Sequence, residues 1–365
     1  MRDQNTAGFS LLSRLQSFPI PRAEISAIAV ALPETEIDNQ ALSALLTAPD
    51  ELRKRLPGII ARTTGIHRRR FSAPGQAPSD LGLLAVRKLL RETGTHKNEI
   101  DTLIFAGTDQ DCLEPATANI LQHKLGIRTV NSFDVKNACN GFLQSLNLAN
   151  SLIISGAARK ICICVAELPS HWFCRVLHGK EDLRCKLGGL TLGDGAAAIM
   201  VEPSRGCAGI TEINLFAQGA HWELCHVPED PHWRRKIPSS INGWFYLDLS
   251  NLARVVRPLS IKYFREYRSF RRRVHGETNF TGRLDKVIPH QISPHLIAEI
   301  VKIFREKMEK VAITADYLGN TAAAAIPITL SAQIECGNLG FGSGQEILLF
   351  GAASGLGMGH VRMTL

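Results

Sequence analysis

FDVKNACNGF, residues 133–142, changes character halfway. Its first residues read as a strand and its last ones open a helix. Cys139 stands at the junction, among Asn137, Ala138, Asn140 and Gly141. A helix N-terminus offers unpaired N–H groups and partial positive charge. A thiol placed there is expected to have a lowered pKa and to act as a nucleophile. The Cys139 N–H is suited to meet the oxygen of an attacked carbonyl, as half of an oxyanion hole. Small neighbours leave room for an acyl thioester. A single cysteine is more often a small hydrophobe of the core, so its surroundings must decide.

Upstream of the junction, apolar strands are predicted at 23–33 and 101–108, with helices at 79–94 and 114–126. Ser79 or Asp80 caps the first helix and Gly94 stops it. Pro115 sits in the first turn of the second. Downstream come a helix at 140–156 and strands at 160–167, 195–204 and 209–219. A long basic helix follows at about 246–273, then a strand at 285–290 that ends in His290. A helix at 293–308 has Ser293 at its N-cap and another covers 322–337. Strands at 346–355 and 358–365 close the chain. This alternation predicts an α/β fold with mostly parallel, buried strands. It divides into an N-terminal half at 23–204 and a C-terminal half at 205–365. Residues 1–22 form an extension, in which Leu12, Leu15 and Phe18 mark one face of a short amphipathic helix.

The composition bounds the class. With 365 residues, 45% of them hydrophobic, the chain can bury two cores. No run reaches the roughly 18–20 apolar residues of a membrane span. The N-terminus lacks the basic start and apolar stretch of a signal peptide. Nine scattered cysteines without a C-x-x-C read as reduced thiols of a cytoplasmic protein. Alternation puts Cys162 and Cys164 on one face of a strand. The net charge of +8 gathers at 62–71, 232–236 and 262–276. No nucleic-acid motif accompanies it, which leaves a solvated face or the docking of an anionic carrier. Arg268 and Arg272 on the long helix are the candidates for that docking. His221, Cys225, His226 and His232 lack metal-ligand spacing, so no metal is expected and the segment reads as an entrance loop.

Three further segments give Cys139 its context. VIPHQ places His290 at the carboxyl end of a strand, where α/β folds bind ligands. YLGNTAAAAIP places Asn320 in a turn before a helix of small residues. LGDGAAAIM (192–200) and GAASGLGMG (351–359) add tight glycine-rich turns. In this order, D-V-x-x-A-C-x-G-F, G-D-G-A, P-H-Q and G-N-T, the chain resembles the β-ketoacyl synthase III group of thiolase-fold condensing enzymes from about residue 23 to the end. The resemblance implies a five-layered αβαβα thiolase fold, a homodimer and a Cys–His–Asn site. Cys139 would take the acyl group, and His290 and Asn320 would hold the second thioester and its enolate. The N–H of Cys139 and one from the Ser354–Gly355 turn would bind the oxyanion. It implies no cofactor beyond acyl-CoA or acyl-carrier-protein thioesters.

Some positions depart from the chain-initiating synthases. The tryptophan expected to stack on coenzyme A is Ile59. The arginine expected before T-G is Thr63, with Arg62 one step earlier, and the Ala-Asn expected after P-H-Q is Ile292-Ser293. DQDCLEPATA (109–118), NAC (137–139) and FGAASGLGMG (350–359) look instead like the head-to-head acyl-condensing branch, which makes olefin precursors and α-pyrones. There a glutamate of an L-E-P segment acts as general base in the partner subunit's site. Here it would be Glu114, or its neighbour Asp111. A malonyl donor forms its carbanion by losing carbon dioxide, whereas a plain acyl donor needs a base for its α-proton, and burial would make the carboxylate a better one. Phe142, Leu143 and residues 322–325 are either walls of an acyl tunnel or ordinary core. The alternatives are a decarboxylative ketosynthase III and a non-catalytic thiolase-fold subunit.

Overall fold

Runs of apolar residues with period two build two sheets, and helices cover both faces of each. The computed structural model describes residues 10–20, 22–227, 243–277, 283–304 and 307–365. Its strands are β1 (Gln16–Ser17), β2 (Ala23–Ala31), β3 (Thr35–Asp38), β4 (Arg68–Phe71), β5 (Thr102–Ala106), β6 (Asn131–Val135) and β7 (Ile161–Glu167). They continue with β8 (Gly195–Pro203), β9 (Gly209–Ala217), β10 (Cys225–His226), β11 (Tyr246–Leu247), β12 (Lys286–Pro289), β13 (Glu346–Ala353) and β14 (Gly357–Thr364). One five-stranded sheet has the order β2-β8-β7-β5-β6, the other β1-β9-β14-β13-β12.

The expectation of mostly parallel strands is not met. Only β5–β6, β5–β7 and β12–β13 pair in parallel, and the other pairings within the two large sheets are antiparallel. A continuous apolar run reports burial on both faces and carries no direction. The short turn Ser354–Leu356 between β13 and β14 forces an antiparallel neighbour, since a parallel one needs a long crossover.

The helices Gly141–Ile154 and Ala325–Glu335 lie between the sheets. The central core joins Phe142, Leu146, Ile326 and Leu330 to Ile163 and Ile199 of one sheet and Ile288, Leu349 and Val361 of the other. On the outer face of the first sheet, Leu81, Ala85 and Leu121 of the helices Pro78–Thr93 and Thr117–Leu125 pack on Leu103, Phe105, Cys162 and Cys164. On the outer face of the second, Leu259, Tyr263 and Tyr267 of the helix Leu249–His275 pack on Leu348 and Phe350. Five layers, αβαβα, result. Strand β7 shows the alternation directly: Ile161, Ile163 and Val165 face the centre, while Cys162, Cys164 and Ala166 face outward.

Three local expectations are corrected. The helix expected from 114 begins at Thr117, because the Asp134 carboxylate of β6 accepts the N–H groups of Thr117 (2.7 Å) and Ala118 (2.8 Å). Ser79 and Asp80 lie inside their helix, which Ala77 precedes. Asp80 accepts the Ala77 N–H at 3.0 Å, and both the N–H and the hydroxyl of Ser79 donate to Asp111. Leu12, Leu15 and Phe18 form no helix. Residues 11–14 turn, β1 pairs with β9, and Phe18 packs on the central core. The extension thereby joins the sheet of the second half.

Candidate active site

The chain leaves β6 at Val135 and enters a short turn, Ala138–Asn140, before the helix Gly141–Ile154. Ala138 has φ +44°, a left-handed conformation that costs a non-glycine residue about 1 kcal/mol or more. Among the described residues two other non-glycine residues share it, Ala322 (φ +47°) and Leu356 (φ +53°). Each lies within two residues of a predicted site residue: Cys139, Asn320 and Gly355. Strain of this kind persists only where the surroundings hold it, and it gathers at functional sites.

The surroundings do hold it. The turn Ala138–Asn140 packs on β13 and on the turn Ala322–Ala324. Gly351 of β13 makes the first contact possible, because a Cβ there would stand 2.1 Å from Asn140 Oδ1. Next to Gly351, the Phe350 carbonyl accepts the His290 N–H at 2.7 Å. Gln291 anchors the same bend. Its Nε2 donates to the carbonyls of Pro289 (2.8 Å) and Ala312 (3.1 Å), and its Oε1 accepts the Thr314 N–H at 2.9 Å. Asn320 is fixed by its N–H to Thr191 O (2.8 Å), its carbonyl to the Gly193 N–H (3.0 Å) and its Oδ1 to the Ala322 N–H (3.0 Å). Its amide nitrogen makes no hydrogen bond among the described residues and is available to a ligand. Beside it, Asp194 of the G-D-G turn accepts from Ser72 N (2.7 Å), Ser170 N (2.8 Å) and Ser170 Oγ (2.7 Å). The turns that carry Cys139, His290 and Asn320 thus converge.

The electrostatics differ from the expectation for Cys139. Burial pushes the thiol above its ordinary value, and Cys225 and the Glu167 carboxyl push the same way. A helix terminus supplies up to about 2 kcal/mol in favourable geometry. Desolvation is the largest influence on the thiol and outweighs the helix terminus, although part of the Cys139 surface stays exposed. Burial lowers His290 to about 4, which makes it a neutral imidazole, and its Nδ1 has no hydrogen-bond partner among the described residues.

Other predicted residues lie elsewhere. Glu114 is exposed and makes no hydrogen bond or ion pair among the described residues, and its neighbour Leu113 is 91% exposed. In this chain Glu114 is a surface group, without the burial expected to raise its basicity. Asp111 is committed to Ser79. Arg62 is exposed in the last turn of the helix Asp50–Thr64. Phe142 is fully buried in the central core. Arg268 and Arg272 are exposed on the helix Leu249–His275, which packs on the segment Gly219–Leu224 and through it on the turn Ser354–Leu356. His232 lies outside the described residues. Among the described residues no group of three or more His, Cys, Asp or Glu side chains is arranged for a metal. All nine cysteines are unpaired, and no described helix is long and apolar enough to cross a membrane.

One residue at the site was named in the sequence only as part of the entrance loop, and another was missed. Cys225 Sγ shares a hydrogen bond with Ser354 Oγ at 3.1 Å, so the segment read as an entrance loop packs against the turn Ser354–Leu356. Glu167, the last residue of β7, is fully buried. The available signal was a lone carboxylate closing the apolar run ICICVAE.

The chain is similar to known proteins over nearly its whole length. Residues 133–219 match the family described as 3-oxoacyl-(acyl-carrier-protein) synthase III, and residues 281–364 match its C-terminal family. A β-ketoacyl-(acyl-carrier-protein) synthase III of Neisseria meningitidis is 31% identical over 341 residues, 93% of this chain and 98% of the relative. Among solved structures, cerulenin-bound OleA of Xanthomonas campestris superposes with a TM-score of 0.80 at 24% identity, over 94% of this chain and 97% of that one. The 3-oxoacyl-(acyl-carrier-protein) synthase III of Aquifex aeolicus superposes with a TM-score of 0.76 at 26% identity, over 94% and 100%.

Proposed function

Since the chain belongs to the 3-oxoacyl-(acyl-carrier-protein) synthase III family and is an acyl-transferring condensing enzyme of that kind, we propose that it joins two acyl thioesters without decarboxylation. Cys139 attacks the first thioester. The S–C bond to the protein forms, the bond to the carrier breaks, and the thiol proton leaves with the carrier thiol. A second acyl thioester then binds at His290 and Asn320. Glu114 of a second copy takes its α-proton. The neutral imidazole and the free Asn320 amide donate hydrogen bonds to the enolate oxygen. The enolate carbon attacks the Cys139 thioester, the Cys139 N–H and the Ser354–Gly355 turn hold the oxyanion, and collapse expels the Cys139 sulfur. The product is a β-ketoacyl thioester, or an α-pyrone when the second chain is itself a β-ketoacyl group. The reaction needs no cofactor beyond its thioesters and suits a cytoplasmic homodimer. Arg62, Arg268 and Arg272 would attract the phosphates of coenzyme A or an acidic carrier protein, and Phe142 would limit the acyl chain from the core side.

The observation that carries this reading is the Leu113–Glu114 segment. It follows β5, whose carboxyl end pairs in parallel with the end of β6, the strand that leads into the turn of Cys139. It presents a large apolar side chain and an uncommitted carboxylate to the outside, as a base offered to another subunit would be. The test is incubation with a long-chain acyl-CoA alone, with the protein's intact mass and the extracted products followed together. Wild type is expected to carry an acyl adduct and release a β-keto acid or its ketone. Glu114→Gln is expected to keep the adduct and lose the product by about 10²-fold or more. Product that appears only with a malonyl thioester, and is indifferent to Glu114→Gln, would establish the decarboxylative route instead.

A further inference from the structure

Glu167 joins three parts of the site that the catalytic residues themselves do not join. Its Oε1 accepts the N–H of Thr108 at 2.9 Å and the N–H of Ala323 at 3.3 Å, and its Oε2 accepts the N–H of Asp109 at 3.1 Å. Thr108 and Asp109 open the loop that leads to Glu114. Ala323 follows Ala322, whose left-handed backbone aims its own N–H at Asn320 Oδ1. The turn Ala322–Ala324 also packs on the turn of Cys139. The carboxyl of Glu167 is near enough to Cys139 to raise the thiol's pKa.

A fully buried carboxylate is expensive, and structural economy does not explain it. A Gln side chain would turn one of these positions into a donor, and a protonated carboxyl would accept only weakly on its hydroxyl oxygen, whereas an ionised carboxylate accepts all three N–H groups strongly on its two oxygens. We propose that Glu167 is a positioning residue for the condensation step: its carboxylate clamps the Thr108–Asp109 loop to the Ala322–Ala324 turn and so sets Asn320 against the acylated Cys139. The inference rests on the proposed use of Cys139 and Asn320 and adds a residue to it. It holds whether the donor is an acyl or a malonyl thioester, since both pass through the enolate.

Ionisation gives the clamp a signature. Burial raises Glu167 to about 8, with the nearby Asp109 adding to the shift and the three N–H groups opposing it. Asp109, itself raised to about 6 by burial, titrates lower, and the neutral His290 lower still. Once acylated, Cys139 no longer titrates. The condensation half-reaction is therefore expected to rise with pH through about 8, as the clamp becomes fully ionised.

The experiment uses the full chain, wild type, Glu167→Gln and Glu167→Asp. The enzyme is loaded with octanoyl-CoA, the Cys139 adduct is quantified by intact mass, and single-turnover condensation is followed from pH 6 to 9. Glu167→Gln is expected to load normally, to condense about 10²-fold more slowly and to lose the rise near pH 8. Glu167→Asp is expected to recover part of the rate and a pH-dependent limb. Equal condensation by Glu167→Gln with an unaltered profile overturns the inference. If that variant does not fold, Glu167→Asp decides: its shorter side chain cannot span all three N–H groups, and condensation at the full wild-type rate overturns the inference. A wild type that never loads Cys139 refutes the proposed nucleophile instead, a different result from loading without a Glu167 effect.

Discussion

His290 shows how the interior changes a residue's chemistry. Nothing near it supplies charge, and burial alone lowers its pKa to about 4. The unfolded chain takes up this proton near pH 6.5, while the folded chain refuses it until about pH 4. Stability is therefore whole above about pH 6.5 and falls as pH drops through the window between the two values. For a fully buried imidazole the loss from pH 7 to pH 5 is on the order of 2 kcal/mol. Denaturant unfolding of wild type and His290→Gln at both pH values should show this slope in the first and a shallower one in the second. Equal slopes would mean that the imidazole is solvated. The same desolvation raises Cys139, so the fold works against a standing thiolate at that position.

Elements in this fold are finished by their neighbours. The helix Thr117–Leu125 has no side-chain cap of its own, and Asp134, on a strand beside it, accepts its first two N–H groups. Asp134→Ala should cost about 1–2 kcal/mol, as loss of an N-cap does, read as a lower denaturation midpoint with an unchanged m-value. An unshifted midpoint would show that water replaces the carboxylate. The helix Leu249–His275 has the opposite character. Leu259, Tyr263 and Tyr267 are committed to the sheet, while Arg254, Arg257, Arg265 and Arg272 stay exposed. Its buried side is settled by packing, while these four arginines face solvent.

At the scale of the whole molecule, the question is where Glu114 acts. It is exposed in the single chain, and the proposed mechanism needs it in the site of a second copy. Mixing Cys139→Ala with Glu114→Gln, each inactive alone, tests this. In a mixed dimer, the chain that keeps Cys139 receives Glu114 from its partner. Random pairing should restore about a quarter of wild-type condensation. No recovery after confirmed subunit exchange would place the base within its own chain.

Much of this was written locally. Strand β6 and the helix after it, the C-terminal glycine stop at Gly94, and the order of Cys139, His290 and Asn320 follow from residue type and short-range spacing. Periodicity within a few residues decides which face is buried, and that suffices for an α/β fold. What the sequence left open depends on groups far apart along the chain. Strand direction is set by connections and pairing partners, which apolar runs do not encode. The helix at Thr117 starts where Asp134 lets it. Glu167 bonds to Thr108 and Ala323, 59 and 156 residues away, so only its charge at the end of an apolar strand was visible. The pKa values of Cys139 and His290 arise from desolvation by the surrounding fold, a sum over neighbours that exists only once the chain has packed.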